Sequence, residues 1–66
     1  MKRRESARLI LKFMWGIAGR YNADMLTDLW IAMDEMRRRY GDQFVAATIK
    51  KNPQTAELAL IREVTV

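Results

Sequence analysis

"FVAATIKKNPQTAELALIREV", residues 44–64, decides whether this chain is wholly helical or mixed. At helical spacing Phe44, Val45, Thr48 and Ile49 share one face. Asn52 then closes one helix and caps the next, with Pro53 in a first turn where its missing N–H is no loss. Read as strands, residues 44–50 pair with 58–66: Leu58, Leu60, Val64 and Val66 alternate, and Val64-Thr65-Val66 favours extended backbone. Arg62 breaks that alternation. The helical reading is preferred, and a C-terminal β-hairpin over residues 44–66 is the alternative.

The same punctuation recurs upstream. Gly19 with Asn22, and Gly41 with Asp42, each join a helix-stopping glycine to a helix-capping Asn or Asp. No linker separates these stops. The expected architecture is a single all-α domain, 1–66: a small bundle of three to four short helices at about 4–18, 23–40, 43–51 and 54–64. A basic N-terminal arm, residues 1–8, precedes it.

Residues 23–40 carry the clearest pattern. Leu26, Leu29, Met33, Met36 and Tyr40 fall within about 80° of helix circumference. Asp24 and Asp28 suit its N-terminal half and Arg37, Arg38 and Arg39 its last turn, both matching the helix dipole. Asp34 with Arg38 and Glu35 with Arg39 are acid-before-base pairs at i,i+4. Ile31 points away from the stripe, among charged residues. It is therefore expected to bind a partner, together with its neighbour Trp30.

"LILKFMWGIAG", residues 9–19, is apolar over about 240° of a helix, roughly twice what a globular domain buries. The run is too short for a membrane span, which needs about 20 apolar residues, and Lys12 interrupts it. A basic arm before an apolar run has the order of a secretory signal, but no small-residue cleavage site follows. The expected location is the cytoplasm, with membrane contact disfavoured; a basic amphipathic helix at a bilayer surface is the weakest alternative. Helix 1 is expected to be covered on a second side by another copy, through Leu9, Leu11, Phe13 and Trp15.

Composition narrows the chemistry. The 66 residues include no Cys and no His, which removes disulfides, thiolates, and the commonest general base and metal ligand. A domain this short has little core, and self-association is the staple that remains. Net charge is +4. Lys2, Arg3, Arg4, Arg8 and Lys12 face only Glu5 in the first twelve residues, whereas seven basic and seven acidic residues balance from Phe13 onward.

No catalytic, cofactor-binding or metal-binding residue is read from the chain. Asp24 and Asp28, one turn apart, are read as helix N-terminal acids and not as a catalytic pair. Met33 and Met36 are read as core. "MRRRYG", residues 36–41, offers three guanidinium groups to phosphates, yet helix C-terminal arginines beside acids are the preferred reading. Residues 44–64 have a helix-turn-helix outline without the polar recognition helix that reads base edges. The expected function is a small, non-enzymatic regulatory or inhibitory protein that binds another macromolecule, with protein favoured, as a homodimer. The alternative is a nucleic-acid-binding protein whose phosphate contacts are Arg3, Arg4, Arg8, Arg37, Arg38 and Arg39. A short, cysteine-free chain rich in Met and Arg is compositionally similar to phage and plasmid accessory proteins.

Overall fold

A computed structural model describes residues 2–65. Four helices follow one another: α1 Arg3–Ala18, α2 Ala23–Tyr40, α3 Asp42–Lys51 and α4 Pro53–Thr65. Among the described residues there is no strand, and the hairpin alternative over 44–66 is not supported. The physical reason lies at Asn52. Its side-chain Oδ1 accepts from the Thr55 N–H at 3.2 Å and its carbonyl from the Ala56 N–H at 3.1 Å, which starts α4 at Pro53. Leu60 is then fully buried, and Leu58 lies outward on the far side of the helix.

Asn22 caps α2 in the same way, accepting from the Met25 N–H at 2.8 Å. The α2–α3 junction differs from the expectation. Gly41, not Asp42, is the cap, and it serves both helices: its N–H donates to the Arg37 carbonyl at 2.8 Å and its carbonyl accepts from the Val45 N–H at 3.1 Å. One residue can do this because its backbone is at φ 87°, ψ 151°, a region essentially confined to glycine. Asp42 becomes the first residue of α3.

α3 is the centre of the bundle. It packs against α1, most extensively, and against α2 and α4, and α2 also packs on α4. The core takes Ile10, Met14 and Ile17 from α1, Leu29 and Met33 from α2, Val45, Ala46 and Ile49 from α3, and Leu60 from α4. Small residues matter as much as large ones, since Ser6 and Ala46 are completely buried. The Ser6 hydroxyl donates to the Lys2 carbonyl at 3.1 Å, so its burial leaves no unpaired group. Phe44, expected on the buried face of α3, is 60% exposed, because the buried face is rotated toward Ala46.

Polar ties join α4 to the rest of the bundle at both of its ends. Glu57 of α4 accepts from Tyr21 Oη at 2.6 Å and from Arg20 Nη1 at 2.8 Å, holding the α1–α2 connection against the start of α4. Arg39 reaches Glu63 at 3.3 Å, tying the end of α2 to the end of α4. The radius of gyration, 11.0 Å, matches the roughly 11 Å of a collapsed chain this long. Exposed apolar residues are therefore not a symptom of loose packing. Among the described residues, no helix is long and apolar enough to cross a membrane.

Candidate functional site

The outward side of α1 is the most distinctive surface. Core packing uses a narrow stripe, Ser6, Ile10, Met14 and Ile17, so the excess apolar arc stays uncovered. Trp15 is 68% exposed and Leu11, one turn earlier, 48%. At 100° per residue, Arg4, Arg8, Leu11, Lys12 and Trp15 lie within an arc of about 100°, and all five are exposed. Among the described residues none of Arg4, Arg8 and Lys12 forms an ion pair. The result is an aromatic and aliphatic pair on an arc that carries three cations without ion pairs, with Glu5 as the one acid beside them.

The expected self-association quartet is thereby split. Leu9 and Phe13 are half-buried and turn toward α3 and the start of α4. There they line a groove of about 390 Å³ with Ile49, Pro53 and Glu57. Leu11 and Trp15 look the other way. Only the latter pair forms part of the outward face.

Ile31 and Trp30 are also separated. Trp30 packs against the core, whereas Ile31 is 63% exposed. Ile31 borders an open groove of about 370 Å³ with Asp28, Ala32 and Glu35 of α2 and Glu63 and Val64 of α4. Asp24 and Asp28 form no ion pair among the described residues; Glu35 and Glu63 share Arg39 at 3.7 and 3.3 Å. Sequence reasoning placed Ile31 among charges but missed Glu63 and Val64. They come from α4, and nothing local to either helix brings them together.

The arginine cluster at the end of α2 is largely engaged within the chain. Arg37 grips Asp42 with Nε at 2.8 Å and Nη2 at 2.9 Å. That pairing holds the Asp42 carboxyl below the usual carboxylate range and raises the Arg37 guanidinium further above its own. Arg37 also approaches Asp34 at 4.0 Å, and Arg38 approaches Glu35 at 4.0 Å, so the expected Asp34–Arg38 pair is not made. Arg39 lies 5.9 Å from the Tyr40 ring centre. By contrast, Arg3, Arg4 and Arg8 in the N-terminal arm are exposed and without ion pairs among the described residues.

A third surface is the Tyr40–Phe44 ring pair, with centroids 5.6 Å apart and planes inclined at 37°. It rims an apolar pocket of about 210 Å³ that also touches Met33, Met36 and Ala56. Among the described residues no group of three or more His, Cys, Asp or Glu side chains is placed to hold a metal ion. Tyr21 has its phenol pushed above its ordinary range by the hydrogen bond to Glu57, and that group ties helices together at the surface. No protein-family model matches this chain, and neither a curated protein nor a solved structure shows significant similarity to it.

Proposed function

We propose that this chain is a small, non-enzymatic binding protein that regulates or inhibits another protein through the outward face of α1. The observation that carries the reading is the exposure of Trp15 beside Leu11 on a helix whose opposite side is core. Large apolar side chains clustered outward on a fully collapsed domain mark interaction sites, and Trp and Arg are the residues most enriched in binding hot spots. Arg4, Arg8 and Lys12 around that centre select a partner with an acidic surface and supply the polar rim. Self-association would cover this face, and a 66-residue domain has much to gain from such cover.

The nucleic-acid alternative retains one supporting observation, the exposed arm in which Arg3, Arg4 and Arg8 form no ion pair among the described residues. It loses support from Arg37 and Arg39, whose guanidinium groups are engaged by Asp42, Glu35 and Glu63. A phosphate-binding surface needs free cations.

A photo-crosslinking residue at position 15, with position 58 as an exposed control on α4, tests the reading in the native cell. One discrete adduct to a protein other than this chain from position 15, and none from position 58, supports it. Nucleic-acid adducts at position 15, or the same adducts from both positions, contradict it.

A further inference from the structure

The outward face of α1 and the Ile31 groove are alike in construction and opposite in charge. Each has an exposed apolar centre, Trp15 at 68% and Ile31 at 63%. Lys12 and Arg8 lie one and two turns before Trp15 on the same arc, with Arg4 a further turn away and Glu5, the one acid of the segment, at the arc's edge. Around Ile31 the acids Asp24, Asp28, Asp34, Glu35 and Glu63 outnumber Arg38 and Arg39. Both faces are exposed, so they do not meet within one molecule.

A symmetric contact of α1 with α1 sets cations against cations around a buried tryptophan. Like charges brought together at an interface oppose association. The complementary surface is on the same chain. We infer that the outward face of α1 docks on the Ile31 groove of a second copy, with Arg8 and Lys12 opposite the unpaired Asp24 and Asp28. The inference rests on reading α1 as a binding face and goes further: self-assembly covers that face, so a second copy and an acidic protein partner compete for it. The contact joins two different surfaces. It is head-to-tail unless a two-fold axis makes it reciprocal.

Sedimentation velocity on the full chain, from micromolar to millimolar concentration and at low and high salt, tests this. Opposite charges across the contact require association to weaken as salt rises; an α1–α1 contact requires the reverse. Arg8→Glu/Lys12→Glu and, separately, Asp24→Lys/Asp28→Lys each lower the association constant by roughly tenfold or more, and mixing the two variants restores it. Should a charge variant lose helix by circular dichroism, Ile31→Ser replaces it, because Ile31 lies outside the core. The inference is overturned if the wild type stays monomeric, if salt strengthens association, or if Asp24→Lys/Asp28→Lys assembles like wild type. A monomeric wild type that still crosslinks one protein through position 15 sinks this inference alone. Loss of both results sinks the reading of α1 as well.

Discussion

Arg37 and Asp42 face each other across the Gly41 turn and are joined by two parallel hydrogen bonds, Nε to Oδ1 at 2.8 Å and Nη2 to Oδ2 at 2.9 Å. The fork fixes the angle between α2 and α3, and with it the position of the central helix. It engages one guanidinium of the triple-arginine run; Glu35 and Glu63 hold Arg39, and Arg38 stays largely exposed. The exposed cations of α1, Arg3, Arg4, Arg8 and Lys12, form no ion pair among the described residues, and Lys50, Lys51 and Arg62 on α3 and α4 are likewise exposed and unpaired.

The pair makes stability depend on pH in a defined sense. A carboxyl held below its ordinary range stabilises the fold above its unfolded pKa of about 3.9, and that contribution fades as pH falls through the lower folded value. Urea unfolding of Asp42→Asn is expected to show a deficit of about 1 kcal/mol near neutral pH, as for a partly exposed bidentate pair. The deficit shrinks at pH values below about 4 as wild-type Asp42 is protonated. A deficit that stays constant down to the acid transition contradicts the assignment.

Tyr21 gives the alkaline counterpart. Its hydroxyl donates to Glu57 at 2.6 Å, and the neighbouring carboxylate keeps the phenol protonated beyond its usual range. A raised folded value means the contribution is complete below the unfolded pKa of about 10 and is lost as pH rises through the folded value. In a titration of phenolate absorbance, the difference between wild type and Tyr21→Phe is a step above pH 10. A step at or below 10 refutes the bond.

Two glycines separate backbone strain from space. Neither Gly19 nor Gly41 has anything within 4 Å of a would-be Cβ, but Gly41 lies at φ 87° and Gly19 at φ −74°. Gly41→Ala is expected to cost about 1–3 kcal/mol. Gly19→Ala is expected to be neutral or stabilising by up to about 1 kcal/mol. Equal effects in thermal melts remove the argument that Gly41 alone makes the α2–α3 turn.

Leu29 and Ile31 are two residues apart on α2 and differ completely in burial, 0% against 63%. Leu29→Ala is expected to lose about 2–5 kcal/mol, enough to unfold much of a domain this small. Ile31→Asp stays within about 0.5 kcal/mol of wild type in stability. A severe loss from Ile31→Asp would mean that its face is already core.

The helix ends were legible because caps are local chemistry. Asn22, Asn52 and Pro53 each act within four residues of themselves, and the helical phase alone put Ile31 and Trp15 outside the core stripe. Close approach between helices was not legible. Ser6, Ala46 and Ala56 are buried by the neighbours they meet and not by their own hydrophobicity, and with Ala46 inward Phe44 lies outward. The Ile31 groove needs Glu63 from a helix more than twenty residues away, which no periodicity reveals. The Asp34–Arg38 pair gave way to i,i+3 neighbours: Arg38 approaches Glu35 and Asp34 approaches Arg37, each at 4.0 Å.

The central claim, that α1 binds a protein through Leu11 and Trp15, is tested most directly by parallel affinity purification from native cells. The baits are wild type, Leu11→Ser/Trp15→Ser and the control Leu58→Ser, with nuclease added throughout. All three are expected to fold alike, because the altered residues are outside the core. The account predicts one protein retained by wild type and by Leu58→Ser and depleted roughly thirty-fold or more on the α1 variant, the loss of about 2 kcal/mol expected of a hot spot. Equal retention by all three baits, or no protein retained by wild type once nuclease has removed nucleic acid, contradicts it.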